Sequence, residues 1–221
     1  MSLHLSNSST GSAQPLALHL VEEISHRVIN EYAEAVAILS LAASCRHAPA
    51  GSALSQAADR LRAHADSHRA LLAPLADGPV ELSCYIGRLC ASLSRASLEE
   101  RGIHLSLSTD EIWVDSARCW RVGLIVAELI RNAVRHGLQG RPGAIGVDVR
   151  SKGARIRCIV SDDGGATTNP PAGRGRRLVR ALAMELHGSA NWWFTRFGTI
   201  AELDFPADQP GRLPRRASDP F

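Results

Sequence analysis

From Leu16 to Arg46 the chain runs without a proline or glycine, is then interrupted by Pro49 and Gly51, and resumes as a second unbroken run from Ser52 to Ala73. Two helix-compatible stretches joined by so short a break predict an antiparallel helical hairpin. Pro15 suits the first turn of the first helix, where its missing N–H has no intrahelical partner to lose. On that helix Leu16, Leu20, Ile24, Val28, Ala35, Leu39 and Ala42 share one face. On the second helix Leu54, Ala58, Leu61, Ala65, His68 and Leu72 alternate at spacings of four and three, a narrow seam of the coiled-coil kind. Stripes so narrow and alanine-rich bury little area within one hairpin. Pairing with a second copy into a four-helix bundle solves this, so a homodimer is predicted.

At Pro79 the texture changes. The pattern predicts a helix over 81–100, a strand over 103–108, a short strand at 111–114, a helix over 116–137, strands over 144–150 and 154–161, a Gly/Pro-rich loop, a helix over 176–187, and strands over 189–195 and 198–205. The fold class is therefore α+β, a helical hairpin followed by an α/β sandwich. Four segments follow: a flexible tail over 1–14, the hairpin over 15–76, the sandwich over 79–206, and a second flexible tail over 207–221, both tails being poor in apolar residues.

Composition narrows the function. The formal charge is only +3 and Lys152 is the sole lysine, so the basic residues read as a general preference for arginine rather than a nucleic-acid surface. The runs "RRLVR" and "RLPRR" lack interleaved aromatics, and "NWWF", Asn191 to Phe194, reads as strand packing rather than a base-stacking platform. Five scattered cysteines, Cys45, Cys84, Cys90, Cys119 and Cys158, lack the close pairing of zinc or redox sites and read as reduced, buried thiols of a cytoplasmic protein. His64 and His68 are four apart on the second helix but have no third metal ligand nearby, which favours surface or seam positions. No segment has the ~20 apolar residues of a membrane span, so a soluble chain without its own membrane sensor is expected.

The chemistry-bearing groups are few. His26 lies on the face of its helix opposite the apolar stripe, which excludes a core role but leaves open whether it is a reactive imidazole or an ordinary surface histidine. In "VGLIVAELIRNAVRHG", Glu128, Asn132, Arg135 and His136 share the polar face of an amphipathic helix. Glu128 could accept a proton, Asn132 could offer an oxygen to Mg²⁺, and Arg135 could pair with phosphate, although a solvated face explains the same pattern. Further on, a β-run ends at Asp162 and leads into Gly164 and Gly165, after which Gly173 and Gly175 precede an apolar helix. Glycines let backbone approach a ligand, and the free N–H groups of a helix start attract phosphate.

Taken in order, these segments resemble the sensor histidine kinases whose phosphoacceptor box reads H-R-V-K-N, with a catalytic domain of the Hsp90-like (GHKL) ATPase fold. "SHRVIN" is similar to the phosphoacceptor box, "ELIRNAVRHG" to the N box, "SDDGG" to the first glycine box, "GRGRRLVRALA" to the second, and "GTIAELDFP" to the closing strand. The resemblance implies His26 as the phosphorylated residue, Glu128 as general base, Asn132 as Mg²⁺ ligand, and Arg135 and His136 as phosphate-side groups. It also implies Asp162 as the adenine contact, with Gly164, Gly173, Gly175 and Thr199 around the nucleotide. Asp163 is the alternative to Asp162 if the register is one residue off.

The chain departs from that pattern at Ile29, at Glu31 and at Ala166, and its lid over 166–172 is short and proline-stiffened. Two phosphotransfer readings follow. In the first, a soluble histidine kinase uses Mg-ATP to phosphorylate His26 and passes the group to a response-regulator receiver domain. In the second, a histidine phosphotransferase with a degenerate ATP site shuttles phosphate between receiver domains through His26. A third reading is a binding module in which the hairpin serves only to dimerise and the sandwich docks a regulator.

Overall fold

The computed structural model describes residues 28–29, 32–33, 35–43, 48–74, 78–165 and 173–207. His26, Glu31, Cys45, the lid over 166–172, the first predicted tail and all of the second but Ala207 lie outside these residues. The first helix, α1, is seen in helical residues 28–29, 32–33 and 35–43. The second, α2, spans Ala48–Ala70. It starts four residues before the predicted Ser52, because Pro49 occupies its first turn, where proline favours a helix instead of breaking one. It ends at Ala70 rather than Ala73. The last turn unwinds through Leu71 N–H donating to the His68 carbonyl and Leu72 N–H to that of Arg69.

Five strands form a mixed sheet: β2 Ile103–Thr109, β4 Gly143–Lys152, β5 Arg155–Asp162, β6 Ser189–Thr195 and β7 Gly198–Pro206. Their order is β2-β4-β5-β7-β6, parallel between β2 and β4 and antiparallel elsewhere. A separate two-residue ladder pairs β1 Val80–Glu81 with β3 Trp113–Val114. That pairing takes Glu81 out of the predicted helix, so α3 runs over Leu82–Leu93 and closes through a π turn, Ser94–Leu98, and a 3₁₀ turn, Glu99–Arg101.

The remaining helices are α4, Ser116–Asn132, whose N-cap Asp115 accepts from the Arg118 N–H, and α5, Arg174–Glu185. With α3 they cover one face of the sheet. Strand alternation explains why. Ile145, Val147 and Val149 of β4, Ile156, Cys158 and Val160 of β5, and Ala201, Leu203 and Phe205 of β7 all point inward and join one core with Leu82, Ile86 and Leu89 of α3 and Trp120, Ile125 and Val126 of α4. The intervening residues face outward. There Arg155 pairs with Asp204 and Arg157 with Glu202 and Asp204 across β5 and β7, while Arg150 pairs with Asp148 of its own strand and with Asp110 just beyond the end of β2.

The hairpin is tied to this layer at its end. Trp120 Nε1 donates to the Leu71 carbonyl at 2.7 Å, Tyr85 Oη to that of Leu72 at 3.3 Å, and Ser116 Oγ to that of Pro74 at 2.6 Å. Higher on α2, Ser67 Oγ donates to the Ser92 carbonyl of α3. The seam residues Ala58 and Ala65 are buried as expected, but on α1 the buried residue is Ile29, beside the predicted stripe, while Ile38 and Leu41 remain exposed. Cys90, Cys119 and Cys158 are buried, and their thiol pKa values are pushed up to about 12 by desolvation. Cys84 departs from expectation, being exposed with its thiol against Glu81. No helix among the described residues is long and apolar enough to cross a membrane.

Candidate functional site

A cleft of about 620 Å³ opens between the C-terminal half of α4, the end of β5, the start of α5 and the β6–β7 hairpin. Its walls carry Glu128, Asn132, Arg135, His136, Asp162, Gly173, Gly175 and Thr199, gathered from four sequence segments. Gly164, named with them from sequence, is placed beneath the cleft: its N–H donates to Asp162 and its carbonyl accepts from Arg141.

The spacing of Glu128, Asn132, Arg135 and His136 implied a single α-helical face. In fact α4 stops at Asn132 and continues as a π turn, Ala133–Gly137, whose wider winding keeps Arg135 and His136 on the cleft side although both are solvent-exposed. The turn ends at Gly137, and a Cβ at that position would overlap the Asp162 carboxylate. Glycine is required there for the strand end to approach the helix end.

Asp162 is nearly buried, and desolvation raises its pKa above the ordinary carboxylate range against the opposing pull of its hydrogen bonds. Its Oδ1 accepts from the Gly164 N–H at 3.0 Å and more weakly from the Thr199 N–H at 3.4 Å. Asp163 does not share the cleft. It accepts from the Ala144 N–H at 2.9 Å and pins the start of β4, which settles the register in favour of Asp162 as the cleft residue.

Two features of the other wall stand out. The Asn132 Nδ2 atom is buried and has no hydrogen-bond partner among the described residues. Such a group costs ~1–3 kcal/mol if left unsatisfied, so a carboxamide held in this state inside an open cleft is suited to a bound partner. Glu128 is largely buried, with Oε2 at 3.1 Å from Arg131 Nη1. Its Oε1 lies against the first turn of α5, where a Cβ at Gly175 would overlap it.

Sequence reading missed part of the lining. Trp192 and Phe194 alternate toward α5 and reach the cleft, with the Arg180 guanidinium over Trp192 and that of Arg176 over Phe194, while Trp193 faces the opposite side and is exposed. The "NWWF" run therefore packs its strand and also walls the site. Arg174, Arg176 and Gln139 were missed as well. The one available signal was the two-residue period of β6 opposite a helix starting at Gly173.

Comparison with known proteins bears on what this cleft belongs to. Residues 23–97 match the histidine kinase family model, and residues 93–190 match the histidine kinase-like ATPase domain. The two models follow one another over residues 23–190, so the chain is similar to histidine kinases over most of its length. Among relatives of this kinase family, blue-light-activated histidine kinase 2 of Erythrobacter litoralis is 28% identical over 204 residues, covering 86% of this chain and 58% of the relative. Sensor histidine kinase PdtaS of Mycobacterium tuberculosis is 29% identical over 203 residues, covering 87% of this chain and 40% of the relative. The chain thus spans about half the length of these kinases. In fold, the histidine kinase domain of the blue-light-activated kinase of Erythrobacter litoralis superposes with a TM-score of 0.56 at 22% identity over 80% of this chain and 97% of that one. A bacterial phosphotransferase superposes with a TM-score of 0.60 at 12% identity over 87% and 98%. These likenesses establish a helical hairpin with a GHKL-type α/β layer.

Proposed function

We propose that this chain is a histidine kinase that holds Mg-ATP in the cleft between α4 and α5, transfers the γ-phosphoryl group to a ring nitrogen of His26, and hands it on to an aspartate of a response-regulator receiver domain. The observation that carries this reading is the open cleft with a buried, unpartnered Asn132 amide on one wall and the Asp162 carboxylate on the other. A decayed site would be expected to fill such a space with side chains, and Arg176 lines the wall without closing it.

The roles follow from the chemistry of each group. Asp162, oriented by the Gly164 and Thr199 N–H groups, accepts a hydrogen bond from the adenine amine. Asn132, turned about its last torsion, would hold Mg²⁺ through its oxygen, where the ion supplies neutralisation of phosphate charge. Arg135, His136, Arg174 and the N-terminal turn of α5 receive the phosphates. In the transfer, the bond from the γ-phosphorus to the bridging oxygen breaks, leaving ADP, and a new bond forms to the His26 nitrogen. The proton of the imidazole passes to the Glu128 carboxylate. Little covalent help is needed beyond such positioning and charge balance.

The chain acts as a homodimer in this reading. Support comes from α1, whose Ile38 and Leu41 are 61% and 69% exposed one turn apart on a helix that packs its other side on α2. Labelled ATP with Mg²⁺ should mark the chain at His26, and Asn132→Ala should weaken nucleotide binding by at least about tenfold in calorimetry, the loss of one charge-assisted contact. Absence of both labelling and nucleotide binding in the parent chain sinks the reading.

A further inference from the structure

Arg131 belongs to none of the groups given a role above, yet it sits where the cleft meets the hairpin. It projects from α4 one turn after Glu128 and pairs with it through Nη1 and Oε2 at 3.1 Å. An exposed pair at this spacing is ordinarily a minor surface contact worth ~0.3–0.5 kcal/mol. Here the two partners are unequal: the Arg131 side chain is 64% exposed and that of Glu128 only 13%. The carboxylate is therefore held inside the cleft wall by a cation that reaches it from solvent.

Glu128 is also engaged from the opposite side. Its Oε1 rests against Gly175 in the first turn of α5, a twelve-residue helix whose N-terminal end attracts negative charge. The carboxylate thus occupies ground that a phosphate would also seek. Two anions cannot share one helix start without strong repulsion, so occupation of that turn by phosphate drives Glu128 off. Arg131 is then the counter-charge that remains to it. It lies toward α2, where its charge, second to burial and followed by His64, keeps His68 below its ordinary pKa. His68 in turn faces Tyr32 of α1, with ring centroids 5.5 Å apart.

We propose that Arg131 is a positioning residue for Glu128, drawing its carboxylate from the first turn of α5 toward the hairpin when nucleotide phosphate takes its place. The proposal rests on the nucleotide-site reading given above. It makes Arg131 act through Glu128 and not on the nucleotide, so the loss on removing it falls on the rate at saturating ATP and not on affinity.

The test uses the full chain, with a non-hydrolysable Mg-ATP analogue for calorimetry and labelled Mg-ATP for the rate of His26 phosphorylation. Arg131→Gln is expected to bind the analogue within about twofold of the parent while its saturating rate falls roughly tenfold to a hundredfold, part of the ~10²–10⁴ that a positioned base contributes. Arg131→Lys, which keeps the charge, should recover much of that rate. Glu128→Gln should fall further, and adding Arg131→Gln to it should cost little more, since the arginine then has no carboxylate to position. An unchanged rate in Arg131→Gln, an equal loss of affinity and rate, or full additivity with Glu128→Gln would each overturn the proposal while leaving the nucleotide site standing. Failure of the parent chain to bind the analogue would overturn both.

Discussion

Between Leu82 and Phe205 the α/β layer gathers residues from every helix and from four of its five central strands into one apolar cluster of buried side chains. Over the described part of the hairpin, the buried residues are Ile29, Ala58, Ala65 and Ser67, while Ile38 and Leu41 lie open to solvent. The first region satisfies its apolar surface by itself, because a sheet with one apolar face and three amphipathic helices makes a closed pair of layers. The second cannot, since alanine-rich seams supply little area per turn. In the proposed dimer the hairpin is therefore the part of the molecule that draws stability from a second copy of the chain, whereas the α/β layer draws its stability from packing within itself.

The sharpest way to break that contrast is at Trp120, which is fully buried in the layer and donates its indole N–H to the Leu71 carbonyl at the end of the hairpin. Trp120→Ala should destabilise the layer by about 3–5 kcal/mol, the usual cost of deleting a large buried aromatic. Thermal unfolding followed by near-UV circular dichroism checks this. Trp120→Phe keeps most of the packing and leaves the Leu71 carbonyl without its donor, at ~1–3 kcal/mol. A larger effect for Phe than for Ala would contradict the view that packing dominates.

Next in size is the hairpin itself. Replacing Ile38 and Leu41 together by Asp should convert the proposed dimer to monomer in sedimentation, because each apolar side chain contributes ~1.5–3 kcal/mol if buried between copies. The α/β layer should melt at the same temperature as in the parent, since neither residue belongs to its core. A dimer that survives the double substitution would place the interface elsewhere. A layer that melts with the dimer would show the two regions to be one cooperative unit.

How much of this could be read beforehand differs between the same two regions. In the α/β layer the strand period and the breaks at glycine and proline placed each long element within a few residues, since one-sided burial imposes alternation on the sequence itself. Glu128, Asn132 and Asp162 were likewise named as candidate groups of one site through the family resemblance, and they line one cleft. The π turn at Ala133–Gly137 left no such mark, because it depends on the approach of Gly137 to Asp162, a tertiary contact. Trp192 and Phe194 were overlooked for a related reason: alternation says which residues share a face, but only the position of α5 decides that this face borders the cleft. In the hairpin, Pro49 was read as a breaker when it is an initiator, and the buried position fell on Ile29 beside the expected stripe. Narrow seams determine helix rotation weakly.

The smallest expected effect lies at the junction of the two regions. His68 of α2 has its pKa lowered first by burial, then by Arg131 of α4 and by His64 one turn away on α2. It also packs on the ring of Tyr32 from α1, and Arg131 is itself paired with Glu128. A histidine whose pKa is lower in the folded chain than in the unfolded one binds fewer protons when folded. Its neutral form therefore contributes fully above the unfolded value of 6.5, and that contribution is lost as pH falls below 6.5 toward the lower folded value. Because the group is only partly buried, solvent screening keeps the effect small. Melting temperatures of the parent chain and of His68→Gln, compared between pH 7.5 and 5.5, should draw together on acidification, the parent losing more than the variant. Parallel curves would mean that His68 titrates alike in the folded and unfolded chain, so that neither its burial nor the Arg131 charge acts on it, and the junction would then rest on the Trp120, Tyr85, Ser116 and Ser67 hydrogen bonds, the Arg60–Glu100 ion pair and the packing of α2 on α3.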